Sequence, residues 1–334
     1  MHTNFIIAKN NNKKLRTEKR KLFMIFKVAM IILGFIMLVK GADLLVKGSE
    51  NIAIRLKIPK IVIGLTLVSI GTSLPELIIS VQSSLKGMAD VSIGNVIGSC
   101  ICNLLLVLGA TSLVKEINVD EDTRKADFPI YLISIFLIAV FGNFNGRVSN
   151  IEGIFLILFL TIFLLQLFIR MKSGLLEYKE ESDEPISTKR SLIYIVLGIV
   201  LLKFGGDFVV DYSTEIARIL GLSEKVIGLT IISIGTSLPE LVTGIVAAFK
   251  GNEEIAMGNV IGSNIFNLLL VLGVTAIISP VEYTISFNEN IIILFVSSFI
   301  IWAISVLKKK HSIGKIEGSL LLLTFAFYVF TLFV

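Results

Sequence analysis

Two six-residue stretches carry the chemistry of this 334-residue chain. Gly71-Thr72-Ser73-Leu74-Pro75-Glu76 recurs unchanged as Gly235-Thr236-Ser237-Leu238-Pro239-Glu240. Each lies inside an apolar run. An ionised carboxylate there costs about 2.5 kcal/mol or more on insertion scales, so it needs a partner. No Lys, Arg or His lies near Glu76 or Glu240 in the runs that carry the repeat, which leaves a cation or a proton. Pro75 and Pro239 lack an N–H, so the carbonyls of Gly71 and Gly235 lose their helical partners. A free carbonyl at membrane depth must be satisfied, and a bound cation can do that.

The polar residues around the breaks keep a helical spacing. Ser69, Thr72, Ser73, Glu76 and Ser80 form one stripe, and Ser233, Thr236, Ser237, Pro239, Glu240 and Thr243 follow the same pattern. The next apolar runs add Gly94-Asn95, Gly98-Ser99 and Asn103, and then Gly258-Asn259, Gly262-Ser263 and Asn267. Ser99 and Asn103 are one turn apart, as are Ser263 and Asn267. Hydroxyls, carbonyls and carboxylates are hard oxygen donors that suit Ca²⁺ or Na⁺ and not soft metals. A single Ser, Pro or Gly pair in such a run is more often helix packing. A buried Glu that recurs beside a recurring break is not explained by packing.

The elements that must position these residues are membrane helices. Hydrophobic residues make up 54% of the chain and charged residues 17%. Soluble domains carry about 25% charge, so a disordered chain is excluded and a soluble domain opposed. A span needs about 20 mostly apolar residues. Ten runs qualify: 23–44, 61–84, 91–114, 128–142, 151–170, 191–214, 225–248, 255–279, 289–307 and 316–334. The weakest, 128–142, has a re-entrant segment as its alternative. The predicted fold class is an all-α membrane protein. Its organisation is a basic tail at 1–22, a first five-helix half at 23–170, a linker at 171–190 and a second half at 191–334.

Residues 64–109 and 228–273 are identical at 28 of 46 positions, at a constant offset of 164. Gly41 and Asp43 match Gly205 and Asp207 at the same offset. The copies lie five spans apart, an odd number, so they enter the membrane from opposite sides. That predicts ten transmembrane helices in two inverted-topology repeats, the arrangement many secondary transporters use.

Lys and Arg at the helix ends set the orientation. The odd-numbered connections carry 18 of them against 11 on the other side, or 4 without the N-terminal tail. The central linker is therefore expected in the cytoplasm and both termini outside. The tail opposes this, and translation from Met24 reconciles the two. No cleavable signal peptide is evident. Net charge is +5, but residues 1–23 hold +6 of it, leaving the membrane body at −1. The basic character thus gives no reason to expect nucleic acid. Cys100 and Cys102 sit in an apolar run and read as small core residues; His2 and His311 are too far apart for a metal site. Neither a nucleophile–base constellation nor a phosphate loop points to an enzyme, and no protein partner or cofactor is indicated.

The two GTSLPE and two GNVIGS motifs resemble those of the calcium/cation antiporter superfamily, in its prokaryotic sodium/calcium exchanger branch. The resemblance covers the whole hydrophobic body. It implies ten helices in two inverted halves, a cytoplasmic-membrane location and exchange of Ca²⁺ against Na⁺. It implies a cation site built from Glu76 and Glu240, with Thr72, Ser73, Thr236 and Ser237 beside them. Carbonyls of Ser69 and Ser233 join, with Ser99 and Ser263 and the polar residue one turn on, Asn103 and Asn267. Gly71, Pro75, Gly235 and Pro239 support the breaks. The family often has Asp in the second copy where this chain has Asn267, so two carboxylates are present instead of three. A Ca²⁺/H⁺ exchanger is therefore the nearest rival, and a cation channel the next.

Overall fold

The computed structural model describes residues 2–176, 186–221, 231 and 233–332, with side chains from Phe23 onward except that of Ser233. Apart from four two-residue strands, its regular structure is helical. Helix α1 runs His2–Leu56, and Phe23–Leu56 is its apolar part. Then come α2 (Lys60–Thr72), α3 (Leu74–Leu85), α4 (Ala89–Val114), α5 (Thr123–Asn145), α6 (Asn150–Lys172) and α7 (Thr188–Ile219). The short α8 (Ser233–Thr236) leads into α9 (Leu238–Phe249). The chain ends with α10 (Glu253–Ile278), α11 (Phe287–Leu307) and α12 (Lys315–Thr331).

Among the described residues seven helices are long and apolar enough to cross a membrane, and eight if the bent pair α2–α3 counts as one span. The run 128–142 is part of α5, whose 23 residues make it long enough to cross; it is not a re-entrant stub. The run 225–248 is described only in part, because residues 222–230 and 232 lie outside the described residues. The linker expected at 171–190 is shorter, since α6 continues to Lys172 and α7 starts at Thr188; its residues 177–185 also lie outside.

The helices pack through small residues. A Cβ at Gly34 would meet the Gly205 carbonyl at 2.8 Å, and one at Gly41 would meet the Gly198 carbonyl at 2.9 Å. The partner number falls as the first rises, so α1 and α7 run antiparallel. Gly41 and Gly205 are repeat-mates, so matching helices of the two halves point in opposite directions. Likewise α10 crosses α2 with Gly258 against Ile61 and Leu65.

The short strands follow the same exchange. Strand β1 (Ile117–Asn118) pairs with β4 (Ser312–Ile313), and β2 (Arg147–Val148) pairs with β3 (Val281–Glu282). β1 matches β3 at the 164-residue offset, and β2 matches β4 at 165, so each half lends a strand to the other. Cys100 and Asn264 are repeat-mates that touch each other. The Cys100 thiol donates to the Asn264 carbonyl at 3.8 Å, and the Asn264 amide donates to the Cys100 carbonyl at 3.3 Å. Asn264 also donates to the Tyr131 hydroxyl at 2.9 Å, which tethers α10 to α5.

Ion pairs gather at the helix ends. Lys60 binds Glu50 at 2.8 Å, and Lys115 binds Glu253 at 3.1 Å. Arg170 binds Asp127 at 2.7 Å and also Asp122. These contacts join the turns that follow α1, α4, α6 and α9 on one face. Ser84 donates to the Ser279 carbonyl at 3.3 Å, and Asn143 to Asn288 at 2.9 Å, joining turns on the other face.

Candidate cation site

Both repeated motifs break their helices. Ser73 leaves helical geometry at φ −86°, ψ 5°, and Ser237 does so at φ −89°, ψ 5°. Both fall near the bridge region. The chain bends by 45° between α2 and α3. Pro75 and Pro239 follow in the first turn of the next helix, where a missing N–H costs nothing to that helix. Gly71 and Gly235 lie against α7: a Cβ would meet Ile199 at 2.9 Å and Val210 at 2.1 Å, respectively.

This places Glu76 and Glu240 in the first turns of α3 and α9, both 0% exposed and within electrostatic reach of each other. Ser73 reaches across the halves and donates to Oε1 of Glu240 at 3.3 Å. Oε2 of Glu240 and both carboxylate oxygens of Glu76 have no hydrogen-bond partner among the described residues. Ser99 faces Glu76, yet its hydroxyl meets no hydrogen-bond geometry. The side-chain amides of Asn103 and Asn267 are 0% exposed and also unpartnered, as is the Ser237 hydroxyl. So many buried polar atoms without partners are rare in a folded chain. Here they include three of the four carboxylate oxygens of Glu76 and Glu240.

The other expected residues support this cage. The Thr72 hydroxyl lies 3.1 Å from Oδ1 of Asn259 and 3.3 Å from that of Ser263. Ser69 uses its side chain in packing: it donates to the Gly64 carbonyl at 2.7 Å and contacts the Gly258 and Asn259 carbonyls on α10. Its own carbonyl accepts from the Ser73 N–H at 3.0 Å. Thr236 is 8% exposed. Ser233 is in α8, and its side chain lies outside the described residues.

Two residues gain a role that spacing alone did not give them. Asn95 donates to the backbone carbonyl of Glu76 at 3.2 Å, and Asn259 to that of Glu240 at 3.4 Å. These matched clamps fix the backbone under each carboxylate. Their signal was the repeated Gly-Asn, but only the packing of α4 on α3 and α10 on α9 shows what the amides hold. Among the described residues no three His, Cys, Asp or Glu side chains gather as a metal cluster. The arrangement offers a cation two carboxylates and neutral oxygens, donors of the kind that suit Ca²⁺ or Na⁺.

The sequence pattern of the family described as "Sodium/calcium exchanger protein" matches residues 26–169 and 190–334. The chain belongs to that family. The two matched segments leave residues 170–189 between them unmatched. Two relatives match along almost the whole length. The "Putative antiporter CaxA" of Alkalimonas amylolytica is 36% identical, covering 93% of this chain and 99% of its own. The "Inner membrane protein YrbG" of Escherichia coli (strain K12) is 33% identical, covering 89% and 94%. A solved structure of the sodium-calcium exchanger NCX_Mj, soaked with Na⁺ and Sr²⁺, superposes with a TM-score of 0.80 at 33% identity. It covers 92% of this family member and 98% of that chain.

Proposed function

We propose that the chain exchanges Ca²⁺ for Na⁺ across the cytoplasmic membrane by alternating access, with Glu76 and Glu240 as the central ligands. The observation that carries this reading is the buried pair of carboxylates with three oxygens left unpartnered. Two negative charges balance one Ca²⁺ or two Na⁺. Occupancy neutralises the site and lets it pass an apolar barrier; the empty, doubly charged site does not pass. Exchange follows, and leak is suppressed. The family, and the named activity of NCX_Mj, favour Na⁺ as the counter-ion.

Ten spans in two inverted halves fit the antiparallel α1 and α7 and the exchanged strand pairs. Turns that touch are an even number of spans apart in that count. The basic residues then put the face with the central linker in the cytoplasm. Ser99, Ser263, Asn103, Asn267 and the hydroxyls and carbonyls at 69–73 and 233–237 complete the oxygen set for one or the other ion.

Proton-coupled exchange is the second reading, favoured by one feature: Asn occupies both position 103 and position 267, so no third carboxylate is present for a third Na⁺. The test is Ca²⁺ uptake into proteoliposomes loaded with Na⁺, compared with uptake driven by a pH gradient. Uptake that persists in both Glu76→Gln and Glu240→Gln overturns the site.

A further inference from the structure

The two halves share their motifs but differ along the helix that leads away from each Glu. Beyond Glu76, α3 carries Ser80, Ser83 and Ser84, and α4 faces it with Ser92. At the 164-residue offset the second half has Gly244, Ala247, Ala248 and Ala256. Each of these four hydroxymethyl side chains is thus replaced by hydrogen or methyl in the second half. Gly244, not Thr243, is the mate of Ser80, so the polar stripe beyond Glu240 is shorter than its spacing suggested.

All four serines are buried: Ser80 and Ser92 are 0% exposed, and Ser83 and Ser84 are 6%. They form a seam. Asn95 donates to Ser80 at 2.9 Å, which turns this face of α4 toward α3. Ser92 lies on the same α4 face, three residues before Asn95 and seven before Ser99. Its hydroxyl has no partner. Ser84 ends the seam at the Ser279 carbonyl. From Glu76 to Ser84 is eight residues, or about 12 Å of helix. The matched side is closed by contact: a Cβ on Gly244 would meet the Thr111 hydroxyl at 2.9 Å.

We propose that Ser80, Ser83, Ser84 and Ser92 line a half-path by which a partly hydrated cation moves between Glu76 and the face bearing residues 86–88. The matched side, at Gly244, Ala247, Ala248 and Ala256, is a tight helix contact. The seam's hydroxyls replace hydration water one turn at a time, as buried polar groups facing a cavity do in membrane proteins. The identity of the cation rests on the exchange reading above; the path itself does not.

The test is cysteine accessibility in a Cys100→Ala/Cys102→Ala background in native-like vesicles. A small hydrophilic methanethiosulfonate should modify Ser83→Cys and Ser84→Cys at least about tenfold faster than Ala247→Cys and Ala248→Cys, because a thiol reacts as thiolate in a watered site and not in a dry one. Equal rates, or faster reaction at Ala247→Cys and Ala248→Cys, overturn the proposal. A second arm replaces Ser83, Ser84 and Ser92 together by Ala, the residue the other half carries at those places. Transport rate should fall about tenfold while Ca²⁺-dependent thermal stabilisation, which reads the Glu76–Glu240 site, is retained. An unchanged rate overturns the proposal. If wild-type vesicles show no Ca²⁺ flux under any gradient, the exchange reading fails, and the labelling contrast still decides the path.

Discussion

Replacing Glu76 by Gln should raise the stability of the cation-free protein and abolish its response to Ca²⁺. The side chain keeps its shape and loses one charge. Glu76 is 0% exposed, both its oxygens are unpartnered among the described residues, and Glu240 is within electrostatic reach. A buried amide with unmet hydrogen bonds costs about 1–3 kcal/mol. An unpaired buried charge beside a like charge costs more. The unfolding midpoint without Ca²⁺ should therefore go up, the reverse of an ordinary core substitution. With Ca²⁺ the sign reverses. A carboxylate about 4 Å from a divalent ion is worth about 8 kcal/mol at an effective dielectric of about 20, so its loss weakens Kd by at least roughly a thousandfold. At a Ca²⁺ concentration about 100 times the wild-type Kd, binding stabilises the wild type by about 2.7 kcal/mol and the variant by less than about 0.1 kcal/mol. Thermal unfolding in detergent with and without Ca²⁺ measures both numbers. A variant that unfolds earlier without Ca²⁺, yet still shifts on adding it, would refute the reasoning, because Glu76 would then be a structural group and not a ligand.

Asn267→Asp should restore a third carboxylate at a fully buried position and steepen the Na⁺ dependence of exchange by about one ion; an unchanged Hill coefficient for Na⁺ speaks against Asn267 as a site residue. Gly41→Leu should cost about 1–3 kcal/mol by overpacking, since even a Cβ at Gly41 meets the backbone of Leu202 at 2.8 Å; a thermal melt measures the loss. Asn95→Ala should remove one bond to the Glu76 carbonyl, worth about 1 kcal/mol and hence roughly fivefold in Ca²⁺ affinity, read by the same Ca²⁺ titration. Burial holds the carboxyl of Asp122 above its ordinary 3.8, against the opposing pull of Arg170. Its ionised form is thus disfavoured in the folded chain, and its contribution to stability falls as pH rises through 3.8 and levels off above the folded value. Asp122→Asn should flatten that part of the pH–stability curve.

Much of the site was legible in the sequence because its signals are local. A Pro after Gly-Thr-Ser-Leu removes a particular helical bond wherever the helix lies, and the 45° bend is at that place. Glu76 and Glu240 stood out because a carboxylate in an apolar run has few physical alternatives. The repeat also foretold that the halves would be related, since 28 matched positions at one offset leave little room for different folds. The roles of Asn95 and Asn259 were less legible, because each clamps a carbonyl 19 residues away on another helix. Spacing likewise did not foretell that the Ser69 carbonyl accepts from the Ser73 N–H or that its hydroxyl packs on α10.

Helical periodicity fixes which residues share a face, and chemistry fixes what that face can bind. The sequence by itself therefore determined the membrane setting, the duplication, the broken helices and the stock of hard oxygen donors around them. Which faces meet depends on crossings between segments far apart in the chain, where small residues let backbones approach. Only the tertiary structure decided that Thr72 meets Asn259 and Ser263, that Ser73 reaches Glu240, and that the repeat-mates Cys100 and Asn264 bond to each other. It also showed the four serines beyond Glu76 lying buried together, which gave chemical meaning to a difference between two otherwise matching repeats.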